Sequence, residues 1–290
     1  MKQKFLFSLI ISCAIFSFSF AQLPDTDIWL FDLKDSAGKI TFLNPLNITN
    51  RPGYDNQPAF SPDGKYILFS SVQDKSLQSD IFKYDIKTKS TTQFTNTPTS
   101  EYSPTFMPDE KNVSVVMVEK DSAQRLWKFP IKGGEPGCIL KNVDSIGYHC
   151  WYNRNTLALF ILTNPFTLQV VQTNSGCPQI VADSIGRCMK MKGNTILYYT
   201  VKTADGKNRL NQLILPGFGT KALDLVMEGE DYSFFNDDVM YSFGSKLFLS
   251  KNLSNRDKKE VGDFSSLGIT NISRIAISPD GKKIALVSNK

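Results

Sequence analysis

The chain has 290 residues, 41% hydrophobic and 21% charged, a composition that suits one large all-β domain or two ordinary ones and excludes a disordered polymer. Its formal charge of +5 is scattered along the sequence and forms no basic stripe, which argues against a nucleic-acid partner.

The N-terminus reads as a targeting segment. Lys2 and Lys4 precede an uncharged, mostly apolar run of 16 residues from Phe5 to Phe20, and Ser19 and Ala21 fit the −3 and −1 positions of a signal-peptidase site. Residues 1–21 are therefore predicted to be a cleaved signal peptide, with one domain over 22–290 in the periplasm or outside the cell. The run falls short of the about 20 residues that a membrane span needs, so no transmembrane anchor is expected. Cys13 is followed by apolar AIFSFSF where a lipid-attachment cysteine would be followed by polar residues. Cleavage removes two lysines and no acid, leaving a net charge of about +3.

Beyond the leader the chain repeats. AFSPDGKYILFSS at 59–71 returns as AISPDGKKIALVS at 276–288. Large apolar residues standing just before a turn and a second apolar run recur at Phe60, Phe106, Trp151, Met191, Phe235 and Ile277, at intervals of 40–46 residues. That period is one four-stranded blade of a β-propeller. In Ser61-Pro62-Asp63-Gly64 the proline presets φ, the aspartate bonds nearby backbone and the glycine takes a positive φ, a turn suited to a hairpin. Third strands are predicted at 27–34, 80–87, 125–132, 168–173, 210–217 and 245–251, with fourth strands such as 90–95. The mature N-terminus supplies a third and a fourth strand with no first or second, and the C-terminus supplies the reverse. Together they predict one composite blade that closes a ring of six.

Residues 47–96, NITNRPGYDNQPAFSPDGKYILFSS…SDIFKYDIKTKSTTQFTN, resemble the TolB-like β-propeller repeat: a Thr-Asn end, an acidic residue, Pro-x-Phe-Ser-Pro-Asp-Gly-Lys, an apolar strand, then Asp-Ile-Trp/Phe-x-Tyr-Asp. Residues 25–50, 98–136 and 272–288 also fit, whereas 146–262 keep only the spacing. The resemblance implies an all-β, six-bladed propeller. Propellers of that family serve as periplasmic binding partners, as modules beside peptidoglycan-binding domains and as front domains of serine peptidases. This chain shows no partner domain and no Gly-x-Ser-x-Gly nucleophile turn.

Chemistry is sparse. His149 is the single histidine, so a metal site with two histidine ligands is excluded by count, and neither a metal nor a cofactor is expected. No phosphate-binding glycine loop is present. Two phrases echo each other: GCILKNVDSIGYHC at 137–150 and GCPQIVADSIGRC at 176–188. In an exported protein four cysteines suggest two disulfides, and the repetition favours Cys138–Cys150 and Cys177–Cys188 among the three possible connectivities. Each bond would contribute about 3 kcal/mol by closing about a dozen residues. The Asp-Ser-Ala and Asp-Ser-Ile sequences at 35–37, 121–123, 144–146 and 183–185 resemble the Asp-Ser/Thr-apolar O-glycosylation acceptor of some Gram-negative bacteria, and they also read as plain turns.

The loops leading into each innermost strand are predicted to gather Tyr54, Asp55, Glu101, Tyr102, Tyr148, His149, Asp231 and Tyr232 around one channel mouth. The expected role is that of a monomeric, non-enzymatic binding or scaffold protein of the cell envelope, holding a protein or peptide partner at that mouth. The alternatives are a glycan-binding propeller and a hydrolase or lyase built around His149.

Overall fold

Two of the repeats share one local device between their first and second strands. In the Ser61–Gly64 turn the Gly64 N–H donates to the Ser61 carbonyl at 2.9 Å, and the Ser61 hydroxyl donates to Asp63 Oδ1 at 2.7 Å. Ser278–Gly281 reproduces both contacts at 2.9 and 2.7 Å. Gly64 and Gly281 both sit at φ +68°, a conformation that a side chain disfavours. The turns reverse the chain so that the two flanking apolar runs pair antiparallel.

The computed structural model describes residues 23–73 and 77–289. The predicted leader, 1–21, lies outside them. The described chain forms six four-stranded antiparallel sheets arranged as the blades of a propeller. Numbered from the first complete sheet, the innermost strands of blades 1 to 6 are Asp55–Phe60, Ser100–Phe106, Ile146–Trp151, Ile185–Lys192, Tyr232–Phe235 and Ile272–Ile277. The six apolar anchors of the repeat fall at or beside the ends of these strands. Blade 6 is composite: its two inner strands are Ile272–Ile277 and Lys283–Asn289, and its two outer strands are Thr26–Ser36 and Lys39–Asn47. Thr26 pairs with Asn289 and the ladder runs without a slip to Asp32 and Lys283.

The core is divided among the blades. There are six buried apolar clusters, one between each pair of neighbouring blades. Period-two alternation makes this possible, because successive side chains leave opposite faces of a sheet. In the second strand of blade 1, Ile67 and Phe69 pack toward blade 6 while Leu68 packs toward blade 2. In blade 3, Leu157, Leu159 and Ile161 face blade 2, and Ala158 and Phe160 face blade 4. A strand covered on both faces needs an unbroken apolar run, which is why YILFSS and TLALFI lack polar alternation.

The four Asp-Ser sequences lie at turns or strand junctions. Ala37, Ser122, Ser145 and Ser184 all have positive φ, and Asp35 and Asp121 accept from the backbone N–H of Gly38 and Ala123 at 2.8 and 3.0 Å.

The seam between blades 6 and 1 depends on Ile28, which is fully buried beside Ile67, Phe69 and Val287. Ile28→Ala is expected to lower stability by about 3 kcal/mol. The shift of the urea midpoint measures it.

Candidate functional site

The six innermost strands surround the ring axis and line a cavity of about 380 Å³. Its upper end lies on the face where second and third strands are joined. Gln57, Ser103, Tyr148, Arg187, Asp231 and Arg274 line it there, one from each blade or the turn into it. The partly exposed Phe60, Met191 and Ile277 line the opposite end.

Polar contacts lock the upper end. Arg274 Nη2 donates to the Tyr148 hydroxyl at 2.7 Å, and its guanidinium lies 5.2 Å from the centre of the Tyr148 ring. Gln57 lines the cavity beside Tyr148, and its Oε1 accepts from the Ser103 N–H at 2.8 Å and from Ser70 Oγ at 2.8 Å. Arg274 Nη1 lies 3.4 Å from Asp231 Oδ2, while Asp231 Oδ1 accepts from the Ile275 N–H at 2.8 Å. Burial pushes the Asp231 carboxyl up to about 6, against the pull of Lys190 and Arg187. Arg187 pairs with Glu230 at 3.1 Å and donates to the Ser273 carbonyl at 3.0 Å. Three cations, Arg187, Lys190 and Arg274, line the cavity against one carboxylate, Asp231.

Of the eight residues predicted at the mouth, Tyr148, His149 and Asp231 line this cavity. Tyr54 and Tyr102 stack edge to face at 6.4 Å close by, with Tyr54 buried. The other three belong elsewhere. Tyr232 is fully buried between blades 4 and 5 with Tyr198, Leu210 and Tyr241, because alternation turns it away from the axis that Asp231 faces. Asp55 and Glu101 are fully buried and join blades instead of lining a loop. Asp55 Oδ1 accepts from Arg51 and from Ser71 Oγ, each at 2.6 Å, and the Asp55 main chain exchanges hydrogen bonds with Thr26 Oγ1 of blade 6. Glu101 accepts from Thr95 and Thr97 at the end of blade 1, and its main chain bonds Ser79.

His149 is buried in the channel wall. Its Nε2 lies 2.7 Å from Ser114 Oγ, which accepts from Trp151 Nε1 at 2.8 Å and donates to the Thr105 carbonyl at 3.2 Å. Burial holds the imidazole down at about 3, so it stays neutral at physiological pH. No carboxylate hydrogen-bonds its Nδ1 among the described residues, and Ser114 is fully buried. A serine and a histidine in contact therefore form a structural link here and lack the orienting acid of a triad. No group of three or more His, Cys, Asp or Glu among the described residues is placed to hold a metal ion.

The expected disulfides are not formed. Cys138, Cys150, Cys177 and Cys188 are all free. Cys138 lies on the outermost strand of blade 2 and Cys150 on the innermost strand of blade 3, so the pair is separated radially by about three strand spacings, near 14 Å. A disulfide tolerates about 7 Å between Cα atoms. Cys177 stands exposed in the turn between the two outer strands of blade 3, while Cys188 is buried on the innermost strand of blade 4 and donates to the Tyr232 carbonyl at 3.3 Å. What the two phrases share structurally is a glycine. A Cβ on Gly186 would stand 2.2 Å from Thr200 Oγ1, and one on Gly147 would stand 3.0 Å from the Phe160 ring.

Sequence reasoning missed Gln57, Ser103, Arg187, Lys190 and Arg274. A signal for three of them was present: Gln57, Ser103 and Arg274, like Tyr148, stand three residues before a repeat anchor.

TolB of Agrobacterium tumefaciens superposes on this structure with a TM-score of 0.68 over 92% of this chain and 99% of its own, at 14% identity. The chain has the TolB-like six-bladed propeller fold. Oligogalacturonate lyase of Vibrio parahaemolyticus superposes with a TM-score of 0.56 over 90% of this TolB-like chain and 86% of its own, at 11% identity. Dipeptidyl-peptidase 5 of Porphyromonas gingivalis is 27% identical over 172 residues, 57% of this chain and 25% of that protein. The chain thus matches only about a quarter of the length of its curated relative. No protein-family profile matches it. No described helix of this TolB-like propeller is long and apolar enough to cross a membrane.

Two predictions follow from these environments. Burial raises the Glu101 carboxyl to about 8, with the neighbouring Asp80 carboxylate adding to the effect of desolvation. Between about pH 4.5 and 8 the unfolded chain gives up this proton while the folded chain keeps it, so stability falls as pH rises through that window and levels off above it. Glu101→Gln should flatten the decline, read from melting temperatures at pH 5, 7 and 8.5. The second concerns the thiols: in the folded protein iodoacetamide should modify Cys177 readily and Cys188 only after unfolding, and reductant should leave the unmodified mass unchanged.

Proposed function

We propose that this chain is an exported, non-enzymatic binding or scaffold propeller of the cell envelope, and that its upper face takes a protein partner or a peptide segment of one. The supporting observation is the distribution of apolar surface. Leu77, Leu162, Phe166 and Phe243 are exposed on or beside the connections between second and third strands, and Leu267 is exposed in the passage from blade 5 to blade 6. All five lie on the upper face. From Phe166, 46% exposed, an aromatic line runs inward: Phe166 to Phe160 at 4.9 Å, Phe160 to Tyr148 at 5.6 Å, and Tyr148 to Arg274 at the axis. Apolar patches with aromatic and arginine anchors mark protein-binding surfaces.

The five exposed residues are spread over blades 1, 3 and 5 and the passage to blade 6. Tyr54 and Tyr102 meet edge to face, and Tyr54 is buried, so the pair offers no open platform for a sugar ring. The enzymatic alternative has less support, since the neutral, buried His149 lacks an acid partner. The predicted leader supports export.

The experiment is crosslinking and affinity capture from the native cell envelope, comparing wild type with Phe166→Asp/Phe243→Asp. Both side chains are exposed, so the variant should fold. A partner captured by wild type and reduced about tenfold or more in the variant is the expected outcome. Equal capture by both, or capture by neither, would remove this reading.

A further inference from the structure

The channel cavity holds more positive charge and more hydrogen-bonding capacity than its own walls use. Arg187 and Arg274 are engaged by Glu230 and by Asp231 and Tyr148. Lys190 lines the same cavity and makes no hydrogen bond or ion pair among the described residues. Burial works against its charge, yet the ammonium stands above its ordinary value, with the Asp231 carboxylate among the groups that favour it. In the same walls Ser103 Oγ, His149 Nδ1 and Arg187 Nε are buried without a hydrogen-bond partner. These three atoms are enclosed by the wall itself and expose almost no surface to the cavity, so the uncommitted group that a bound molecule would meet is the Lys190 ammonium. The volume of about 380 Å³ falls within the range of small-ligand sites, and Pro58, Pro104 and Ala276 add apolar wall.

We propose that the channel cavity is a binding site for a small organic carboxylate, with Lys190 holding the anionic group. One uncommitted ammonium suits a monoanion better than a doubly charged phosphate. Low-dielectric walls strengthen the attraction by focusing the field of the charge. The site is separate from the apolar rim of the upper face, and it stands whether or not a protein docks there.

The C-terminal carboxylate of a short peptide and the carboxylate of a uronic acid share this chemistry. Titration calorimetry with N-acetyl-Ala-Ala and with glucuronate, each beside its uncharged counterpart (the peptide amide and glucose), separates the two sources. One of the acids should bind wild type, with its uncharged counterpart weaker by about tenfold or more. Lys190→Met should lose about tenfold in affinity and Lys190→Arg should recover most of it. Lys190→Gln, which keeps a polar side chain without its charge, should lose affinity to the same extent and covers the case in which Lys190→Met fails to fold. Failure of both acids to bind wild type at millimolar concentration, or unchanged affinity in folded Lys190→Met or Lys190→Gln, would overturn the proposal.

Discussion

Face-to-face packing of neighbouring sheets is the constraint on which the rest of the structure depends. No blade has a core of its own. Each buries its two faces against two neighbours, so each cluster is shared and the ring is stable only when all six interfaces exist together. The seam in blade 6, where Thr26–Asp32 pairs with Lys283–Asn289, therefore links the ends of the described chain through the same kind of ladder that builds every other blade. Long-range pairing of this kind gives a high contact order, and the last interface to form waits on strands more than 250 residues apart.

The fold was legible because its determinants are local and repeated. The turn residues, the apolar anchors and the doubly apolar second strands each recur, and each has one physical meaning wherever it stands. Even blades 3 to 5, where the motif letters have decayed, kept the anchor spacing because interface packing constrains size and position more than identity. The channel was harder to read. Its lining is set by register, and register is shifted by bulges: the pairing of the innermost strand slips between Asn56 and Ala59, between Tyr102 and Thr105, and between Ile185 and Met189. A residue counted as belonging to a loop can thus lie on the strand and face a blade. Arg187, four residues before its anchor, was overlooked for that reason, whereas Tyr232 stands on a strand without a slip and faces the core by plain alternation.

The acidic residues of the repeat illustrate a second limit. Asp55 and Glu101 looked like polar residues of exposed loops, yet both are buried struts between consecutive blades. The cysteine phrases mislead in a similar way, since their spacing along the chain suggests proximity while the radial order of strands places the sulfurs far apart. In both cases the sequence pattern is real, but its cause is packing geometry: acidic residues buried where the chain passes from one blade into the next, and glycines that let a side chain of the adjacent strand approach the backbone.

The contact between Tyr148 and Arg274 has a mechanical consequence. These residues stand on blades 3 and 6, which face each other across the axis. A ring held together only through adjacent neighbours can flatten into an ellipse with little change at any one interface. A hydrogen bond along a diameter resists that deformation, because flattening must either stretch it or compress it. The Tyr148–Arg274 link, held on the Arg274 side by Asp231, is the spoke along that diameter.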